Sequence, residues 1–272
     1  MTTMTATSNR ETPGRLAVIT GAAGRVGKLT IEALTGSYRL RLIDRQWSEE
    51  DLTNGEDGTE HRVLDLTDRE AWDTAIESAD ILIHLAGQAY PGIDARTAIE
   101  DGAMLTAHLA AAAAGSDLTR IIFASSIHTM GLHHRDGHYP IRQQWPSRPC
   151  CEYGSAKVFS ENLLGVLSER TMISVICLRL GLTGYAPVTE DLASQWLGPR
   201  DYGRLLHASL AAPVKYGTYF GMSAAGGKRW DLTETIKDLS FSSVDPVPVP
   251  VPRPGTGSTG PERCLMFSPR QS

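Results

Sequence analysis

The run Leu16-Ala17-Val18-Ile19-Thr20-Gly21-Ala22-Ala23-Gly24-Arg25-Val26-Gly27 decides how the rest of the chain is read. Four apolar residues ending in Thr-Gly predict a short strand buried on both faces. Glycines at 21, 24 and 27 follow, and Lys28 to Leu34 reads as a helix. Gly21 permits a tight turn, and Gly24 lets backbone N–H groups approach a pyrophosphate at the helix N-terminus. Gly27 lets the helix pack close to the strand. Arg25 and Val26 share that first turn. Asp44 closes the next strand, Leu40-Arg41-Leu42-Ile43, about twenty residues on, where a carboxylate accepts hydrogen bonds from an adenosine ribose. The expected cofactor is NAD. Arg25 and Arg45 could instead meet a 2′-phosphate, so NADP stays open. Asp65-Leu66, after a third strand Arg62-Val63-Leu64, either lies against the adenine or only turns the chain. Leu85-Ala86-Gly87, ending a fourth strand that starts at Ile81, is expected along the same cofactor.

Outward from this stretch, strands and helices alternate. A helix is expected over Asp68–Ser78 with Asp68 as its cap, another over Ala103–Ala114, and a long one over Tyr153–Glu169. Ile121–Ala124 and Ser174–Leu178 read as strands five and six. This rhythm predicts an α/β chain, a doubly wound parallel Rossmann sheet covered on both faces. Residues 1–13 read as a disordered arm and 14–182 as the dinucleotide-binding core with the catalytic residues. Residues 183–245 read as a small substrate-binding lobe, with a helix Pro199–Ala211, a strand Tyr216–Phe220 and a helix Leu232–Leu239. Residues 246–272 form a Pro-rich tail, in which prolines at 246, 248, 250, 252 and 254 have polyproline II spacing.

Composition narrows the partners. The 272 residues carry 26 basic and 31 acidic side chains, a net charge of −5, which argues against a nucleic-acid-binding face and a polybasic membrane anchor. No run reaches the roughly 18 apolar residues of a spanning helix, and the polar start lacks a signal-peptide core. Four cysteines make no disulfide framework. The expected setting is cytoplasmic and the expected partner a small-molecule substrate.

The chemistry is carried further along. Tyr153 and Lys157, four residues apart in the long helix, share one face. Ser126 lies just past the fifth strand, at the carboxyl edge where such sheets hold ligands. A free tyrosine has a pKa of about 10; a nearby ammonium stabilises the phenolate and lowers it. Ser126 would hold the substrate oxygen while Tyr153 moves the hydroxyl proton and a hydride passes to or from a nicotinamide.

Taken together, these segments resemble the extended short-chain dehydrogenase/reductase family, the NAD-dependent epimerase/dehydratases, over about residues 15–245. Within it the chain is most similar to uronate dehydrogenases. The carrying stretches are Gly21-Ala-Ala-Gly24, Phe123-Ala-Ser-Ser126-Ile-His128, Tyr153-Gly-Ser-Ala-Lys157 with Ser160-Glu161-Asn162, Arg179-Leu-Gly181, and Ala212-Pro213-Val214 leading to Trp230-Asp231. The resemblance implies a Rossmann core, NAD(P), the triad Ser126, Tyr153 and Lys157, and His128 in the substrate pocket. It also implies a homodimer, with the helices Ala103–Ala114 and Tyr153–Glu169 packed at its interface or only against the body of one chain.

The substrate-reading positions depart from uronate dehydrogenases. Ile127 replaces an asparagine beside the catalytic serine, and Ala89 and Leu182 replace substrate serines. Asp191 falls at the arginine that clamps the sugar carboxylate, with Arg200 the clamp if the alignment shifts. Gly102 replaces a helix asparagine that supports the lysine through water. No metal site is expected: His128, His133, His134 and His138 match no usual ligand spacing, and Cys150 and Cys151 read as ordinary thiols. The expected function is an NAD(P)-dependent oxidoreductase, with a ketoreductase of specialised biosynthesis as one form of it. It would interconvert a secondary alcohol and a ketone on a small cyclic polar substrate, sugar-like or nucleoside-like. Uronate dehydrogenase proper, a sugar epimerase or dehydratase, and a redox sensor on a retained Rossmann fold are the rivals.

Overall fold

The computed structural model describes residues 14–49, 59–250 and 264–268. The expected arm at 1–13 and most of the tail beyond 250 lie outside the described residues. Seven parallel strands form one sheet: β1 (Leu16–Thr20), β2 (Arg39–Asp44), β3 (Glu60–Val63), β4 (Ile81–His84), β5 (Arg120–Ser126), β6 (Ser174–Leu180) and, further on, β9 (Tyr216–Gly221). Their spatial order is β3-β2-β1-β4-β5-β6-β9. Helices cover both faces, so β1 and β4 are buried at every residue. That is why they read as apolar runs rather than alternating ones. The order reverses between β1 and β4, which opens a crevice at their carboxyl ends.

One hydroxyl closes the bottom of that crevice. Thr20 Oγ1 accepts from the N–H groups of Leu85 and Ala86 at 3.2 and 3.3 Å. Its own proton is then directed to His84 Nδ1, 2.8 Å away. That geometry needs a neutral imidazole. Burial and the Lys157 charge supply it, pulling His84 down to about 3.

The helices differ from expectation in two places. The helix expected from Asp68 starts later, as α2 (Ala71–Ile76). Asp68 instead accepts the Glu70 N–H at 3.0 Å in a turn before it. The expected Ala103–Ala114 helix is the end of a longer rod: α3 (Ala95–Ala98), a π-helical stretch over Ile99–Met104, and α4 (Leu105–Ala113). Asp94 caps the rod through the Thr97 N–H at 2.9 Å. Gly102, which replaces the family's helix asparagine, sits inside the widened π turn.

The segment 183–245 contributes to the main sheet. Its helix α8 (Pro199–Ala211) packs on α1 (Arg25–Leu34), where Tyr202 OH and Thr30 Oγ1 are 2.6 Å apart. β9 then pairs with β6 in parallel. The crossover motif simply repeats once more, with a helix returning the chain to a parallel neighbour. Outside the sheet lie a two-stranded excursion and the chain after β9. The excursion runs through β7 (Leu182–Thr183), α7 (Glu190–Ala193) and β8 (Trp196–Leu197). Asp201, fully buried at the start of α8, takes hydrogen bonds from Ser223, Ser243, Val244 and Asp245. It ties that last segment to the body.

After the short helix α5 (Gly131–Arg135), a buried ion pair fixes the long helix α6 (Glu152–Arg170) against the sheet. Arg179 of β6 donates to both oxygens of Glu161, at 2.9 and 2.8 Å, and Ser125 of β5 donates to the same carboxylate at 2.6 Å. Both charged residues are almost fully buried. Glu161→Leu, which strands the Arg179 charge, is expected to cost about 3–5 kcal/mol in denaturant unfolding. The double variant Glu161→Leu/Arg179→Met should recover most of it. A single-variant loss below about 1 kcal/mol, the worth of an exposed pair, would mean that water reaches this site.

Candidate active site

The carboxyl edge of the sheet holds one continuous cleft of about 790 Å³. It is lined by nearly every residue that the sequence singles out. At one end lie Gly21, Gly24, Arg25, Val26, Asp44, Arg45, Asp65, Leu66, Leu85, Ala86 and Gly87; at the other Ala89, Ser126, Ile127, His128, Tyr153, Lys157, Leu182 and Asp191. Among the cofactor residues Gly27 is the exception. It is buried behind the turn, where a Cβ would clash with the carbonyl oxygens of Gly21 and Ala22.

The cofactor end is built mainly by backbone. Gly21 has φ +70°, and a Cβ there would come within 2.9 Å of the Ala86 nitrogen. Gly24 caps α1 and no side chain closes it. The free N–H groups of the first turn therefore face the cleft, a standard anion site. Asp44 accepts the Ala23 and Arg45 N–H groups at 3.0 and 2.7 Å, one on each oxygen. Each oxygen keeps a second lone pair for a ribose hydroxyl. Asp65 is held in its own turn by the Thr67 N–H and hydroxyl, which lower its pKa. Trp72 donates to the Leu66 carbonyl at 3.0 Å. Arg25 lies over the Tyr185 ring at 4.7 Å, so the loop after β7 folds across the glycine turn. A glycine-cradled helix end, a carboxylate at the end of β2 and an open cleft between them fit a dinucleotide.

The reacting end gathers three elements. Ser126 ends β5, and Tyr153 and Lys157 rise from the first turns of α6. Burial pushes the Tyr153 phenol up to about 12, while its hydrogen bond with Ser126 pulls the other way. Burial brings Lys157 down to about 8, against the raising effect of Cys177 and Glu161. The Lys157 ammonium donates to the Ala124 carbonyl at 2.7 Å and sits over the Phe123 and Tyr153 rings, 4.5 and 5.8 Å from their centres. At Gly102, a Cβ would make ordinary contact with Ala156 on this same helix. The Ala124 carbonyl is the lysine's observed protein partner.

The substrate end departs from expectation at Asp191. The carboxylate faces the cleft but is not a bare charge. It forms an ion pair with Arg229, accepts from Gln195 at 2.8 Å, and has His134 at 3.5 Å. Burial alone would raise its pKa; the bonds and charges of His134 and Arg229 outweigh that and hold it low. Arg200 does not stand in for a substrate clamp, because it reaches Asp245 at 2.6 Å and does not line the cleft. Sequence reasoning missed Arg229, which pairs with Asp191, and Tyr90, Thr189 and Phe267, which line this end. Phe267 comes from the segment read as a Pro-rich tail. An apolar Leu-Met-Phe stretch after the prolines was the available signal.

His128 also differs from its reading as a plain pocket residue. Its Nδ1 lies 3.3, 3.6 and 3.5 Å from the sulfurs of Cys150, Cys151 and Cys264. His134, grouped with it in the sequence, is stacked on Trp230 instead.

This architecture defines a nicotinamide-dependent enzyme of the Rossmann type. Residues 17–192 match the NAD dependent epimerase/dehydratase family, and the chain belongs to that family as an NAD(P)-dependent oxidoreductase. A uronate dehydrogenase of Pseudomonas syringae pv. tomato is 30% identical, over 84% of this chain and 82% of its own. In Haloferax volcanii an NAD-dependent glucose-6-phosphate dehydrogenase is 29% identical, covering 84% and 92%. An L-arabinose 1-dehydrogenase (NAD(P)(+)) of the same organism is 28% identical, covering 84% and 95%. Among solved structures, a glucuronic acid dehydrogenase from Chromohalobacter salexigens aligns at TM-score 0.77 and 28% identity, over 85% of each chain.

Asp44→Ala is expected to weaken NADH binding about 10–100-fold, the worth of hydrogen bonds to a charged group. It should also narrow the preference over NADPH. Fluorescence titration with both cofactors checks this. A wild-type chain that binds NADPH more tightly than NADH would show that Arg25 and Arg45 outweigh Asp44.

Proposed function

We propose that the chain oxidises a ring CH–OH of a small neutral sugar to a ring carbonyl, or runs the reverse reduction. The observation that carries this reading is the charge arrangement at the substrate end. Ser126 and Tyr153 supply hydroxyl-binding groups. Ile127, Ala89 and Leu182 supply apolar surface. Among the described residues lining that end, no guanidinium stands ready for a carboxylate. Ser126 holds the substrate oxygen. Tyr153, as a phenolate steadied by the Lys157 ammonium, takes its proton and becomes the neutral phenol. The bound nicotinamide supplies the hydride acceptor. General acid–base help of this kind is worth about 10²–10⁴-fold.

Uronate dehydrogenase is the second reading, favoured by the 30% identical relative. Because the Arg229 guanidinium pairs with Asp191, a substrate carboxylate loses an attraction here rather than meeting a full repulsion. A lost charge-assisted contact is worth about 1.5–3 kcal/mol. Kinetics on a panel of neutral aldoses and uronates should therefore show kcat/KM roughly 10–100-fold higher for the best neutral ring. Tyr153→Phe should lower turnover on it by about 10² or more. Glucuronate or galacturonate as the best substrate would restore the second reading, and a near-normal Tyr153→Phe would remove Tyr153 as the acid–base group.

The chain also works as a homodimer in this reading. Ile99 and Met104 on the π-helical rod, with Phe159 and Val166 on the adjacent α6, leave apolar side chains exposed on neighbouring helices. Such a patch marks a protein interface. Sedimentation equilibrium should give the mass of two chains; a single-chain mass at micromolar concentration would refute it.

A further inference from the structure

We infer that His128, Cys150, Cys151 and Cys264 form a structural zinc site that pins the tail of the chain beside the reacting groups. The four side chains offer one imidazole nitrogen and three sulfurs, all within 4.8 Å of one another. The distances suit a particular ion. Tetrahedral zinc, with Zn–S near 2.3 Å and Zn–N near 2.0–2.1 Å, requires S···N separations of about 3.5 Å and S···S of about 3.8 Å. The three S···N separations here are 3.3, 3.6 and 3.5 Å, and the Cys150 and Cys264 sulfurs are 3.7 Å apart. A disulfide would use two of these groups and leave no reason for the other two to converge.

The surroundings are shaped for this cluster. All three cysteines are buried. A Cβ on Gly131 would strike the Cys150 sulfur, and one on Gly154 would strike the His128 carbonyl. The Leu265 N–H donates to the Cys150 carbonyl at 2.9 Å, and the Cys150 N–H to the His128 carbonyl at 3.2 Å, so backbone bonds hold three of the ligands in place. Soft thiolates with one imidazole are a zinc donor set, and four protein ligands leave no open position, which marks a structural rather than a catalytic ion. Binding displaces the three thiol protons and leaves the imidazole neutral, so the loaded centre carries one negative charge. The ion would join the end of β5, the start of α6 and the tail. It would thereby fix Ser126 and Tyr153, which are each two residues from a ligand. It would also seat Phe267 in the cleft wall.

The test is metal analysis of the full chain, purified without chelators from zinc-supplemented medium. Wild type should hold close to one zinc per chain. Cys264→Ser, near the end of the chain, should lose most of it and melt at a lower temperature, with the wild-type difference abolished by a strong chelator. Cys177→Ala, whose sulfur lies mid-strand in β6, should keep its zinc. Cobalt loaded in place of zinc should give the sulfur-to-metal charge-transfer band and the intense red absorption of tetrahedral thiolate coordination. Zinc well below half an equivalent in wild type would overturn the inference. So would full zinc in Cys264→Ser, or a Cys150–Cys264 disulfide found by mass spectrometry of the freshly purified protein.

Discussion

A carboxylate sealed between three elements holds the working parts of this chain in register. Glu161 lies one helical turn beyond Lys157 on the long helix and binds Arg179 of β6 and Ser125 of β5 at once. Ser125 immediately precedes Ser126. The same bonds therefore set the depth of the lysine and the place of the serine hydroxyl. An ion pair so buried is costly to form and more costly to break. That asymmetry makes the position of α6 close to all-or-none, which suits a site whose groups must meet within hydrogen-bonding distance.

The two ends of the cleft follow different physics. The cofactor end is backbone: glycine at positive φ, an uncapped helix start, and strand ends stitched by Thr20 and a neutral His84. Its requirements are steric, so a few glycines and one acid at known spacing specify it. The substrate end is made by side chains from segments far apart in sequence, and pairing decides their meaning. Asp191 becomes a paired acceptor because Arg229, Gln195 and His134 meet it. Arg200 is withdrawn because Asp245 holds it. An aligned residue type at this end tells little until its partners are known.

The tail joins the same logic. Cys264 meets His128 and Cys150, and Phe267 lines the cleft. They close over the end of β5 and the start of α6. A tail anchored there couples the terminus of the chain to the geometry of Ser126 and Tyr153, more directly than a surface strap would.

By itself the sequence determined the α/β class, strands β1, β2 and β4, helices α6 and α8 within a residue, and the glycine turn and strand ends that line the cleft. It also placed Ser126, Tyr153 and Lys157 together. All of these are local patterns: apolar runs, glycine spacing and an i, i+4 pair. Tertiary structure alone decided that Tyr216–Gly221 is the seventh strand of the main sheet, because strand pairing is a long-range choice. It alone widened the helix at Ile99–Met104 into a π turn and gave Asp191 its counter-charge. It alone brought Cys264 to Cys150, Cys151 and His128. Those outcomes depend on which distant side chains share a space. A one-dimensional pattern carries no signal for that until the sheet has set every strand end at a single edge.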